Sequence, residues 1–96
     1  MKPAPGTIGG AHVVRWSPID DRHHVTGNYR HAVAGRVLGA AAGLAICQYE
    51  GQAAYYLFHC DDEWNSLTDT WHETLQDALR QAEFEYEGVS STWQVV

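Results

Sequence analysis

The chain has 96 residues, of which 45% are hydrophobic and 19% are charged, and its formal net charge is −6. This length predicts a single domain, and the apolar fraction excludes a disordered acidic tail because it is large enough to form a core. The charge is divided unevenly: residues 1–48 carry five basic and two acidic side chains, whereas residues 49–96 carry one basic and ten acidic side chains. Because such a charge attracts a surface of opposite sign, we expect an acidic face that binds a basic protein.

The first ten residues, MKPAPGTIGG, are predicted to be a flexible lead-in, followed by a single α+β domain over residues 11–96. No apolar segment follows Lys2, so no secretory signal is expected. The longest apolar run, at 37–47, has 11 residues. A membrane-spanning helix needs about 20 residues. We therefore expect a soluble, cytoplasmic protein without a membrane partner.

The N-terminal half is predicted to contain one short strand. Residues Ala11–Trp16 favour a short strand that ends at the following Ser-Pro pair. Residues 19–30 are polar and contain a Gly-Asn turn signal. Residues 31–42 leave helix and irregular structure both open, because their apolar spacing fits a helical stripe while Gly35 and Gly39 weaken a helix.

The next segment has the strongest hairpin pattern in the chain. Leu44–Tyr49 and Ala53–Cys60 are rich in aromatic and aliphatic residues and flank a turn at Glu50 and Gly51. In the register set by that turn, Cys47 lies opposite Ala54, and both faces of the strand pair are apolar. We therefore expect the late helix to cover one face and the N-terminal segment to cover the other.

A third strand near Trp64–Thr70 and a closing strand at Thr92–Val96 are predicted to flank the only helix. Thr74 is the expected N-cap of this helix, and Gly88 lies just past its end. The helical projection gives one core-facing stripe: Leu75, Ala78, Leu79, Ala82 and Tyr86. The order β-β-β-α-β predicts an α+β fold with one helix packed on a small antiparallel sheet of about four or five strands.

The outer face of the predicted helix carries the best candidate for a binding site. Phe84 lies about 180° from Leu75 on the projection, so it should point away from the core amid acidic side chains. An exposed aromatic ring inside a charged rim is typical of an interface anchor, although such a ring can also pack under a loop and acidic helix faces are often only solvated. The residues predicted to contact a partner are Phe84, Asp77, Glu83, Glu85, Glu87 and Trp71.

We interpret the chain as a non-enzymatic, immunity-like inhibitor or antidote that occludes a basic site on a nuclease or another nucleic-acid-handling protein. One alternative is a small metal- or histidine-dependent enzyme that uses His72, Asp69 and His59, which only the tertiary fold could bring together. A second alternative is a homodimeric scaffold in which Phe84 meets its copy. No cofactor is expected, and nucleic acid is not the expected ligand because the basic residues are few.

The two cysteines, Cys47 and Cys60, lie in the predicted hairpin strands. Nothing else in the sequence points to an oxidising compartment, so both thiols are expected to be buried and reduced.

Overall fold

The computed structural model, which describes residues 1–96, has one helix packed on a curled antiparallel sheet. Its elements are, in chain order, β1 (Thr7–Ile8), β2 (Ala11–Pro18), β3 (His24–Val25), β4 (Ala32–Val33), β5 (Arg36–Val37), β6 (Gly43–Gln48), β7 (Tyr55–Cys60), β8 (Ser66–His72), α1 (Leu75–Glu85), β9 (Tyr86–Glu87), a 3-10 turn (Val89–Ser91) and β10 (Gln94–Val95). The main sheet has the strand order β1-β2-β6-β7-β8, and β10 also pairs with β2. The predicted α+β fold is confirmed.

The β6-β7 hairpin divides the core into two apolar clusters, because successive side chains on a strand point to opposite faces. One cluster lies on the side of the N-terminal segment and comprises Ile8, Ala11, Val13, Ala45, Cys47, Phe58, Cys60 and Trp64. The other lies under the helix and comprises Ala41, Leu44, Ile46, Leu57, Ala78, Ala82, Tyr86 and Val89. The prediction that both faces of this hairpin are covered, one by the helix and one by the N-terminal segment, is confirmed.

The predicted register of this hairpin was wrong by two residues. The predicted turn at Glu50 and Gly51 is present, because the N–H of Gln52 donates to the Tyr49 carbonyl at 3.1 Å. Residues 52–54 lie outside any strand, however, and regular pairing resumes only at β7, so Cys47 pairs with Tyr56 and not with Ala54. A shift of two residues keeps every side chain on its face, which is why the predicted faces are correct despite the wrong register.

Part of the first ten residues, which were predicted to be a flexible lead-in, pairs and packs with the rest of the chain. β1 pairs with β2 through a turn at Gly9 and Gly10, whose φ angles are 57° and 84°. Two adjacent residues with positive φ form the tight turn preferred by hairpins, so this Gly-Gly pair signals a hairpin and not flexibility. Ile8 is buried, and the Lys2 carbonyl accepts a hydrogen bond of 2.9 Å from the Trp64 indole. At least β1 therefore belongs to the packed structure.

The segment between β2 and β6, which the sequence left open, contains no helix. β4 and β5 form a small hairpin around Ala34 and Gly35, both of which have positive φ. The valines of this hairpin, Val33 and Val37, are exposed, so their helix-like spacing does not mark a buried stripe. Earlier in the segment, the N–H of Thr26 donates to the Glu85 carbonyl at 3.0 Å. This contact joins the segment to the end of α1.

The helix and the cysteines lie as predicted. Thr74 caps α1 by accepting a hydrogen bond of 3.1 Å from the N–H of Asp77, and the helix ends three residues before Gly88. Cys47 and Cys60 are free and buried, and burial raises the pKa of each thiol to about 12. No helix of the chain is both long enough and apolar enough to span a membrane.

Close packing at Gly43 gives a test of the core. A Cβ at this position would lie 2.6 Å from the Trp64 ring, whereas a Cβ at Gly39 would meet nothing within 4 Å. We expect Gly43→Ala to lower the free energy of unfolding by about 1–3 kcal/mol through overpacking. Gly39→Ala should leave it unchanged or raise it slightly, because it restricts only the unfolded chain. Urea unfolding followed by tryptophan fluorescence measures both, and equal effects would contradict this packing.

Candidate functional site

Phe84 and Trp71, two of the residues predicted to contact a partner, lie on one open groove. Their exposed fractions are 50% and 58%. The groove runs between the end of β8 and the outer side of α1, and its full lining is Trp71, His72, Glu73, Asp77, Arg80, Gln81 and Phe84. The turn between β8 and α1 therefore brings Trp71 and Phe84, which are 13 positions apart in the chain, to the same groove.

The other acidic residues predicted to contact a partner differ in burial and hydrogen bonding, and of these only Asp77 lines the groove. Asp77 is half-buried and forms an ion pair of 3.1 Å with Arg80, and Glu87 is exposed on β9. Glu83 instead closes the end of the helix, because its carboxylate accepts hydrogen bonds from the N–H of Gly88 at 2.8 Å and from Ser90 at 2.7–3.0 Å. Partial burial favours a higher pKa for Glu83, but these hydrogen bonds outweigh it and lower the pKa.

Glu85 does not face a partner, and the prediction was wrong for this residue. Only 3% of Glu85 is exposed, and its side chain points into the protein. On a helical projection Glu85 lies about 20° from Ala78, at the margin of the core-facing stripe. The spacing alone could have placed it there. Its charge was taken as a sign of exposure, yet a carboxylate can be buried when enough donors surround it.

The donors around Glu85 come from three parts of the chain. Oε1 of Glu85 accepts hydrogen bonds from Nε2 of His31 at 2.7 Å and from Nε2 of His59 at 2.9 Å. Oε2 accepts a hydrogen bond of 2.8 Å from the Gln81 amide. His31 precedes β4, His59 belongs to β7, and Glu85 is the last residue of α1. We call this group the His31–His59–Glu85 cluster.

The ring nitrogens on the far side of the cluster differ from each other. Nδ1 of His31 lies 2.8 Å from the Thr68 hydroxyl, whereas Nδ1 of His59 is buried and has no hydrogen-bond partner. The two imidazole rings are in contact, with their centroids 3.7 Å apart. The neighbouring Tyr86 hydroxyl accepts a hydrogen bond of 2.8 Å from the N–H of Ala41. The cluster is therefore almost fully hydrogen-bonded, with His59 Nδ1 as the exception.

The pKa of Glu85 shows which effect controls the cluster. Burial favours a higher pKa, but the hydrogen bonds from His59, Gln81 and His31 outweigh it, so the pKa of Glu85 is lowered below its ordinary value of 4.5. An ionised carboxylate only accepts hydrogen bonds. Each Nε2 that faces Oε1 must therefore carry a hydrogen.

The trio of His59, His72 and Asp69 predicted for an enzyme does not assemble. Asp69 pairs with Phe58, one position from the pairing of His59 with Thr68, so Asp69 and His59 lie on opposite faces of the sheet. His72 shares the face of His59, but its Nε2 bonds to Thr70 at 2.7 Å, and burial lowers its pKa. The residues that do converge with His59 are Glu85 and His31, which lies in the segment whose conformation the sequence left open.

Comparison with known proteins gave no match among protein-family models, curated proteins or solved structures. The function must therefore be inferred from the two features of the molecule described above. One is the open groove that carries Trp71 and Phe84. The other is the buried His31–His59–Glu85 cluster.

The lowered pKa of Glu85 predicts a specific dependence of stability on pH. Because its folded-state pKa lies below 4.5, ionised Glu85 contributes stability that is fully present above about pH 4.5 and is lost as the pH falls through the folded-state value. Glu85→Gln should lower the free energy of unfolding by about 2 kcal/mol at pH 7 and make its decline below pH 4.5 shallower.

Urea unfolding at a series of pH values from neutral to acidic tests this prediction, and Glu87→Gln is the matched control because Glu87 is exposed. An equally steep decline in wild type and Glu85→Gln would show that Glu85 does not control the acid stability of the protein.

Proposed function

We propose that the protein is a non-enzymatic, immunity-like binding protein that occludes a basic site on another protein with its Trp71–Phe84 groove. The observation that carries this proposal is the exposure of two large aromatic side chains on one groove. Water-exposed aromatic surface is costly to leave uncovered, and Trp in particular is enriched among the residues that dominate binding energy. Each ring here has about half of its surface available to a partner.

Charge supports a basic partner. The groove lies in the half of the chain that has ten acidic side chains and one basic side chain, and that one cation, Arg80, is engaged by Asp77. Glu73 in the groove and Glu87 on β9 are exposed. A positively charged cleft would therefore be attracted to this side of the molecule and would be held there by the aromatic rings. Proteins that bind nucleic acids have such clefts, which is why a nuclease or a related protein is the proposed target class.

The backbone of β8 supports the same surface. β8 is the last strand of the main sheet, so its outer edge has no neighbouring strand. Unpaired N–H and C=O groups on an edge strand can hydrogen-bond to an extended segment of another protein. Because Trp71 and His72 lie at the end of this strand, an extended segment paired with β8 would pass beside the groove.

Binding measurements with matched variants test the proposal. Wild-type protein would be used to capture basic proteins from lysate at low salt, and the captured protein would then be purified and titrated. Phe84→Ala and Trp71→Ala should each raise the Kd about 30-fold, equivalent to ~2 kcal/mol, because each truncates an aromatic anchor. The wild-type Kd should also rise with salt, because added ions screen the acidic surface.

Tyr29→Ala is the control, since Tyr29 is 48% exposed but lies outside the groove. Circular dichroism would verify that each variant is folded. An unchanged Kd in both groove variants, or an equal loss in Tyr29→Ala, would contradict the proposal. Self-association that disappears in Phe84→Glu, seen by analytical ultracentrifugation, would instead support a homodimer through this face.

A further inference from the structure

We propose that the His31–His59–Glu85 cluster is a binding site for a divalent transition metal ion, with Zn²⁺ as the best fit. One potential ligand atom from each residue lies within 4.8 Å of the other two. Two imidazole nitrogens and one carboxylate oxygen form a common set of zinc ligands in proteins. The three residues come from a loop, a strand and a helix, so their convergence is produced by the tertiary fold and not by a local motif.

The two nitrogen–oxygen distances of the cluster are close to those around a bound ion. The Glu85 oxygen is 2.7 and 2.9 Å from the two Nε2 atoms. Ligand atoms around a tetrahedral Zn²⁺ with bonds of 2.0–2.1 Å lie about 3.3 Å apart. Each nitrogen therefore has to separate from the oxygen by about 0.5 Å, which small rotations of the side chains supply.

Metal binding would move the hydrogens of both rings. Each imidazole loses the proton on Nε2 to solvent and takes one up on Nδ1, a change of tautomer without net proton release, and binds the ion through the freed Nε2 lone pair. For His31 this Nδ1–H faces the Thr68 hydroxyl at 2.8 Å, and Gln81 keeps the second oxygen of Glu85 in place. Such outer contacts orient the ligands of metal sites and raise their affinity.

The charge of the cluster supports a cation at this site. Two imidazole nitrogens converge on one oxygen of the buried Glu85 carboxylate. A dication would neutralise the buried charge of Glu85 and would bind both rings at once. Burial of the cluster would strengthen that electrostatic attraction, because the surroundings screen it poorly.

The size of a small cavity beside the cluster indicates which role the ion would have. The cavity has a volume of about 10 Å³, and its lining includes His31, His59, Thr68 and Tyr86. This volume is sufficient for about one water molecule, which would complete the coordination, and is too small for a substrate. The ion would therefore act as a structural link between β7, α1 and the segment that carries His31. This role is independent of partner binding by the groove.

Titration of the 96-residue chain with Zn²⁺ alone, after treatment with a chelator, tests the proposal. Calorimetry should show one Zn²⁺ per chain, and the Tm should rise by about 10 °C when free Zn²⁺ is 100-fold above its Kd. His31→Gln retains an N–H donor for Glu85, so it should fold, yet its affinity for Zn²⁺ should fall more than about 100-fold. Co²⁺ should give visible absorption bands of a coordinated ion in wild type but not in His31→Gln.

His12→Gln is the control, because His12 is an exposed histidine away from the cluster. It should leave the affinity, the stoichiometry and the Co²⁺ spectrum unchanged. The absence of binding at about 100 µM Zn²⁺, or equal binding by wild type and His31→Gln, would overturn the proposal. Loss of binding in His12→Gln would also overturn it, since the ion would then be held at the surface.

Discussion

The buried carboxylate of Glu85 is the constraint on which the arrangement of this protein depends. An ionised group inside a protein is tolerated only when donors satisfy its oxygens, and here His31, His59 and Gln81 supply them. The donors belong to a loop, to the central hairpin and to the helix itself. One side chain therefore fixes the end of α1 against the sheet and holds the segment between β2 and β6 in place.

At the end of α1, the adjacent residues Phe84 and Glu85 face different sides of the helix. Glu85 points into the protein, while the Phe84 ring is half exposed on the groove. The segment between β2 and β6 also holds the backbone here, since the Phe84 carbonyl accepts hydrogen bonds from Thr26 at 2.7 Å and from Asn28 at 3.0 Å. A rigid attachment of this kind limits the entropy that Phe84 would lose on binding. The segment between β2 and β6 thus fixes the backbone that carries Phe84.

Sequence patterns predicted the parts of the fold that local physics determines. The cap at Thr74, the apolar stripe of α1 and the two faces of the β6-β7 hairpin follow from periodicity and residue type, and the structure has all three. The hairpin register was missed because it depends on the turn geometry. The His31–His59–Glu85 cluster was missed because it joins residues 26 and 54 positions apart, and no periodic pattern reports such contacts. Of the three residues, only Glu85 could have been predicted to be buried, because it lies beside Ala78 on the helical projection.

The hydrogens on the ring nitrogens of the cluster report directly whether Glu85 is ionised and accepts from both histidines. Long-range ¹H–¹⁵N correlation spectra of the metal-free protein at neutral pH report which nitrogen of His31 and of His59 carries the hydrogen. We expect a hydrogen on Nε2 of both rings, exchanging slowly with water, because both nitrogens donate to an ionised and buried Glu85. A ring with hydrogen only on Nδ1, or spectra like those of the exposed His12, would show that Glu85 is not held in this way.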